Sequence, residues 1–245
     1  MITSIQNEHV KAWRKLHKRK YRQQTNTFLI EGFHLLEEAW KSDWEIIEVM
    51  VREDIILPAL YQSIPAHMVT EQVFQHISQT QQPQGIAALV KMKQEKVDKW
   101  SRVLLLDAIQ DPGNVGTMIR TADAADFDAV ILGEGTVDLY NDKVIRSTQG
   151  SIFHIPVLHQ PLQDAVKHLK EDGFSVWAAV LEESKDYRQV QHAGKTAILI
   201  GNEGAGIQQL LQQEASERVH IPIPGHAESL NASIAAAILM YHVID

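Results

Sequence analysis

The 245-residue chain carries 23 Lys and Arg against 31 Asp and Glu, a formal net charge of −8, and no cysteine. Disulfides, thiolate metal sites and cysteine nucleophiles are thereby excluded, and a uniformly acidic surface would repel nucleic acid. A hydrophobic content of 44 % is ample for a packed core; no run is long enough to cross a membrane and the first residues lack the layout of a signal peptide, so a soluble, cytoplasmic protein is expected.

The charge is not evenly spread. Lys11, Arg14, Lys15, Lys18, Arg19, Lys20 and Arg22 crowd one short amphipathic stretch, with Trp13 and Tyr21 interleaved. It reads either as a solvated helix face or as an electrostatic footprint for RNA or DNA. In the second reading Lys11, Arg14, Lys15, Lys18, Arg19 and Arg22 meet phosphates and the aromatics stack on bases. Residues 27–31 have a strand pattern, Gly32 releases the chain into a helix over 33–41, and 44–51 alternates as a strand. A short helix at 71–76 and a strand at 85–90 follow. The charged residues 91–99 lack an apolar period and predict a linker. The chain is thus expected to divide into a small α/β domain at 1–95 and a second domain at 100–245.

From residue 102 the texture changes. Residues 103–106, 129–132, 155–158, 176–180 and 197–200 are short apolar runs with helical patterns between several of them. Strands buried on both faces have this composition, so the second domain is expected to be a parallel sheet covered by helices, with ligands at the strands' carboxyl ends. After the first run, Pro112 and Gly113 predict a turn and Asn114 a helix cap. Gly116 and Arg120 share the helix face beyond, an arrangement suited to a phosphate under the guanidinium. After the last run comes Gly201-Asn-Glu-Gly-Ala-Gly206, whose spacing is wrong for the dinucleotide fingerprint. Glu203 within it would stand at the sheet's functional edge.

The third polar stretch is Ile221-Pro-Ile-Pro-Gly-His-Ala-Glu-Ser-Leu-Asn231. Its prolines and Gly225 predict a rigid loop, with Ser229 as N-cap of a following helix of about fourteen residues, apolar nearly all round and therefore buried. His226 reads as an exposed loop residue. Twelve histidines are scattered without ligand spacing, so no metal site is expected.

Together, and in this order, Asn114-x-Gly116-x-x-x-Arg120-x-Ala122, Gly201-Asn-Glu-Gly-Ala-Gly206 and Ile221-Pro-Ile-Pro-Gly with Ser229-Leu-Asn231 resemble the three signature motifs of the SpoU (TrmH) family of RNA 2′-O-ribose methyltransferases, of the SPOUT superfamily. The resemblance covers residues 102 onward. Phe28-Leu-Ile-Glu-Gly32 and Gln82-Pro-Gln-Gly-Ile86 are similar, more loosely, to the family's N-terminal substrate-binding domain, which resembles a ribosomal protein. The resemblance implies an α/β knot at the C-terminus, S-adenosylmethionine as cofactor held at Gly201, Ile221 and Leu230, and a homodimer packed through the C-terminal helices. It implies in-line attack of a ribose 2′-hydroxyl on the sulfonium methyl. Asn114, Arg120, Glu203, Ser229 and Asn231 are then the catalytic set. Arg120 is assigned to the neighbouring phosphate, since a guanidinium is an awkward base, and the proton acceptor stays open. Ribosomal RNA is favoured over transfer RNA as substrate. The rivals are a non-catalytic RNA-binding or ribosome-assembly protein on the same scaffold, and a nucleotide-dependent α/β enzyme, for which a phosphate loop is missing.

Overall fold

A computed structural model describes residues 1–93, 100–192 and 194–244. The expected linker falls largely on residues 94–99, outside the described residues. The chain forms two compact units: Met1–Gln94 with Asp138–Phe153, and Glu95–Val137 with His154–Asp245. The division expected at 95/100 thus lacks one feature, because residues 138–153, from within the expected second domain, pack into the first unit.

In the first unit, α1 (Glu8–Lys15) and α2 (Arg19–Thr25) precede β1 (Thr27–Glu31), α3 (Phe33–Lys41), β2 (Ile46–Arg52), β3 (Ala66–Val69), α4 (Glu71–Ile77) and β4 (Ile86–Lys91). The sheet runs β1-β4-β2-β3, antiparallel except for the parallel β2/β3 pair. Val10 and Trp13 of α1 pack on Met50, Val69, Val73 and Phe74. The single basic helix expected over 11–22 is therefore two. Leu16 turns inward between them, and Arg22 reaches back to donate to the Leu16 carbonyl oxygen at 2.7 Å.

Two residues assigned to RNA are corrected by their burial. Trp13 is 1 % exposed and cannot stack on a base. Arg22 is 6 % exposed and its guanidinium is bonded to Asp138, so its charge is consumed inside the unit. Lys11, Arg14, Lys15, Lys18, Arg19 and Lys20 remain exposed. Asp138 opens the inserted segment, whose helix α6 (Asp142–Thr148) is capped by the Asn141 side chain. Tyr140 packs on Phe28 at 4.6 Å between ring centroids and Phe153 on Trp44 at 5.4 Å. Seven mostly polar residues with a side-chain cap leave little apolar period to detect, so this helix is not legible from the sequence.

The second unit holds β5 (Arg102–Asp107), α5 (Pro112–Ala124), β6 (Ala129–Leu132), β7 (Val157–His159), α7 (Leu162–Glu171), β8 (Ser175–Ala179), β9 (Lys185–Asp186), β10 (Thr196–Gly201), α8 (Gln209–Glu214), β11 (Glu217–His220) and α9 (Ala232–His242). Its seven strands are ordered β7-β6-β5-β10-β8-β11-β9 and every pair is parallel. Alternate residues divide between two cores. Val103, Leu105, Val176, Ala178, Ala197 and Leu199 pack with α7 and α8. Leu104, Leu106, Trp177 and Ile198, on the opposite face, are equally buried, and there α9 lies on β10 and against α5. Period-2 strands buried on both sides are the reason these segments read as continuous apolar runs. The two short strands β9 and β11 escaped that reading because Lys185, Asp186, Glu217, Arg218 and His220 make them polar.

Helix α9 corrects one expectation: it is not buried all round. Ser233, Ala236, Leu239 and Met240 face inward, whereas Ile234 and Tyr241 are about half exposed.

The Arg22–Asp138 pair holds an ionised group with little access to water. Asp138→Asn is expected to destabilise the first unit by roughly 3–5 kcal/mol, the cost of leaving a buried guanidinium uncompensated. Urea unfolding followed by circular dichroism measures it.

Candidate active site

Asp107, the last residue of β5, is in register with Gly201, the last of β10. Only 1 % exposed, its carboxylate accepts from the Gln208 backbone N–H at 2.7 Å and from Gln208 Nε2 at 2.6 Å. The loop after β10 is thereby tied to the end of β5. Asn202 closes that loop on itself: its Oδ1 accepts from the N–H groups of Gly204 and Ala205 at 2.9 Å, and its backbone pairs with Gly206. Its Nδ2 donates to the Ala108 carbonyl at 2.7 Å. A side chain at Gly201 would meet the backbone of this loop, with a Cβ only 2.3 Å from the Ile207 nitrogen and 2.4 Å from the Gly206 carbonyl carbon.

The three polar stretches meet through side chains. Asn114 Nδ2 donates to Glu203 Oε1 at 2.9 Å, and Asn231 Nδ2 donates to Asn114 Oδ1 at 3.1 Å. Glu203 also accepts from the backbone N–H groups of Gln110 and Asp111, at 3.3 and 3.4 Å. Burial would raise the Glu203 pKa. The hydrogen bonds from Asn114, its own backbone and those two amides outweigh burial and hold it below the usual carboxylate value.

Two of these side chains, Asn114 and Asn231, are set by a helix start. Asp111, not Asn114, caps α5, accepting from the Asn114 N–H at 2.8 Å, and Pro112 is the first helical residue rather than part of a turn. A proline is well suited there, where its missing N–H has no partner to lose. Asn114 is thus freed from capping to face the other loops. Likewise Asn231, not Ser229, caps α9, its Oδ1 accepting from the N–H groups of Ser233 and Ile234 at 2.9 and 3.3 Å. One Asn231 side chain therefore starts α9 with its oxygen and holds Asn114 with its nitrogen.

Beside this network lies a cavity of about 670 Å³, within the range of roughly 300–1,000 Å³ usual for small-molecule sites. Gly201, Glu203, Ile221, Ser229, Leu230 and Asn231 line it, with Ile200, Ile223 and Leu239 supplying apolar surface. Residues 221–230 make no backbone–backbone hydrogen bonds among the described residues, so their amides and carbonyls are available to a ligand. The strand ends involved are not all neighbours, since β8 separates β10 from β11.

Arg120 stands apart. It is exposed on α5, makes no ion pair among the described residues and does not line the cavity. Sequence reasoning assigned no role to Asp107 or Asn202. The available signal was an aspartate closing an otherwise apolar strand and an asparagine directly after the glycine that the loop crosses.

Residues 101–241 match the SpoU rRNA Methylase family, and residues 7–88 match an MRM3-like substrate binding domain. The chain belongs to the SpoU rRNA methylase family. It is 46 % identical to the 23S rRNA (guanosine(2553)-2′-O)-methyltransferase RlmP of Bacillus subtilis (strain 168), over 99 % of this chain and 98 % of that protein. Among solved structures, the S-adenosylmethionine-bound rRNA methyltransferase from Sinorhizobium meliloti superposes with a TM-score of 0.90 at 31 % identity, covering 99 % of this chain and 96 % of the other. The SpoU methyltransferase AviRb from Streptomyces viridochromogenes, in complex with the same cofactor, shares the fold, with a TM-score of 0.88 at 24 % identity over 98 % of this chain and 97 % of the other.

In this SpoU family member Gly201 has no room for a side chain. Gly201→Ala is expected to lower stability by at least about 1–3 kcal/mol, because the atoms in the way are backbone. Gly204→Ala, whose Cβ would meet only Asn202 Oδ1 at 3.6 Å, is expected to stay close to wild type. Parallel urea titrations distinguish them.

Proposed function

We propose that this chain is an S-adenosylmethionine-dependent RNA 2′-O-ribose methyltransferase. It acts in the cytoplasm on 23S ribosomal RNA, at the guanosine equivalent to the one that names its Bacillus subtilis relative. The observation that carries the reading is the chain Glu203–Asn114–Asn231, which joins all three family motifs at the edge of one cavity.

The cavity fits the cofactor. Free backbone amides and carbonyls at 221–230 suit its polar edges, and Ile200, Ile223, Leu230 and Leu239 suit its adenine and thioether carbons. Glu182 and Glu228 line the same cavity and supply negative charge for a sulfonium and an ammonium. Gly201, Ile221 and Leu230 would hold it. Threading of the 221–242 segment as the family's knot is part of this reading.

When bound, the cofactor supplies an electrophilic methyl group on a positively charged sulfur. The chain's own residues hold the ribose hydroxyl in line with it, an alignment that supplies up to roughly 7–11 kcal/mol in favourable cases. Both ends of the Asn114 amide are already engaged, so Asn114 acts by position. Glu203 accepts from three donors and its pKa is depressed; it braces the loops and is a weak base. Ser229, exposed at the cavity, is free to bond the ribose or the methionine end. Arg120 takes the adjacent phosphate, and its free guanidinium lowers the pKa of the hydroxyl. A second copy of the chain covers α9, where Ile234 and Tyr241 leave apolar surface exposed.

The deciding experiment maps ribose methylation in total RNA from cells with and without the gene. Loss of one 23S rRNA mark supports the reading. Loss confined to transfer RNA redirects the substrate, and an unchanged map favours the non-catalytic rival.

Two further outcomes are expected. Arg120→Ala lowers methyl transfer by about 100-fold or more, while calorimetry finds cofactor affinity within a few-fold of wild type. Strong residual turnover in a radiolabelled-methyl assay would remove Arg120 from the mechanism. Arg14, Lys15 and Lys18 are exposed around a shallow depression that Tyr21 and Gln79 also line. Changing all three to Glu weakens RNA binding and reduces the slope of log K against log salt by about 2–3, as filter binding at several salt concentrations would measure.

A further inference from the structure

The histidines follow no ligand-spacing motif along the chain, and no metal is expected from sequence. The fold nevertheless gathers two of them with a carboxylate. His9 on α1, Glu48 on β2 and His67 on β3 each present a ligand atom, and these atoms all lie within 4.8 Å of one another. His67 Nε2 and Glu48 Oε2 are 2.9 Å apart. The other carboxylate oxygen, Oε1, accepts from Trp13 Nε1 at 2.7 Å. The His9 and His67 rings face each other at 4.9 Å between centroids.

From this arrangement we propose that His9, Glu48 and His67 form a binding site for a divalent transition-metal ion, best matched by Zn²⁺. Two imidazoles and one carboxylate are a ligand set that zinc accepts, with a fourth position left for water. Tetrahedral zinc at about 2.0–2.1 Å from nitrogen and oxygen places its ligands about 3.3–3.5 Å apart. The pair Glu48–His67 is already close to that spacing. His9 is exposed and neither of its ring nitrogens is hydrogen-bonded among the described residues. A modest rotation of the His9 side chain completes the set without breaking any hydrogen bond of His9, while the His67–Glu48 hydrogen bond is exchanged for bonds to the ion. The Trp13 donor fixes the orientation of Glu48, as outer partners of metal-binding carboxylates do. Such a donor is not required by an ordinary His–Glu contact. On binding, the ion takes the lone pair of a His67 ring nitrogen. The ion would tie α1, which carries Arg14 and Lys15, to the two strands beneath it.

The test uses the full chain freed of metal by chelator dialysis and titrates it with Zn²⁺ against a chromophoric chelator. One saturable ion per chain is expected, weakened by about tenfold or more in His9→Ala and in His67→Gln, with a Zn²⁺-dependent rise in melting temperature that both variants lose. His9→Ala changes an exposed helix position and should fold normally, so a failure of His67→Gln to fold leaves the comparison intact. Absence of saturable binding, or equal binding by wild type and His9→Ala, overturns the proposal.

Discussion

Asn114 spends both ends of its amide on other loops, donating to Glu203 and accepting from Asn231. Side-chain amides rarely leave so little slack: each partner is itself committed, Glu203 to two backbone amides and Asn231 to the first turn of α9. Moving the Asn114 loop breaks bonds to the other two, and moving either of those breaks its bond to Asn114. A cavity built from loops is ordinarily the loosest part of a fold, and this network is what makes three of them a defined site. Behind it stand two supports. Asp107 grips Gln208 at the sheet edge, and Gly201 lets the loop cross where no other residue fits.

The sheet determines where this can happen. All seven strands are parallel, so their carboxyl ends open on one edge, and helices on both faces leave that edge as the place where loops gather. Strands β5 and β10 are direct neighbours, which brings the Asn114 loop and the Glu203 loop together. β11 is one strand further away, and its 221–231 segment closes the distance by running without ladder bonds of its own. That segment is therefore both the reach that completes the site and the source of unpaired backbone groups for a ligand.

The apolar strands and the three polar stretches were legible because two-sided burial writes continuous apolar runs and because loop chemistry concentrates Gly, Pro, Asn and Ser. Helix starts were legible only to within a few residues. Ser229 and Asn231 are equally good caps by type, as are Asp111 and Asn114, and the choice is made by tertiary contact. The chain needs Asn114 and Asn231 beside each other, so capping of α5 falls to Asp111, while Asn231 does both tasks. The segment 138–153 was invisible for a different reason: its attachment to the first unit runs through Arg22–Asp138 and two aromatic pairs, long-range partners that leave no local period.

The basic stretch shows why formal charge alone is a poor guide to binding. Arg14 and Arg22 are eight positions apart on adjacent helices and identical in chemistry, yet one points to water and the other is sealed against Asp138 and a backbone carbonyl. A buried, paired cation contributes almost nothing to the external field, because its partner cancels it at short range. An exposed and unpaired one is felt over about a Debye length, about 8–10 Å at ordinary salt. The chain's −8 is thus a sum over charges with different reach, and a ligand meets only the local part of it. Arg14, Lys15 and Lys18 are three such exposed cations close together, so the net charge of the whole chain does not describe the surface they form.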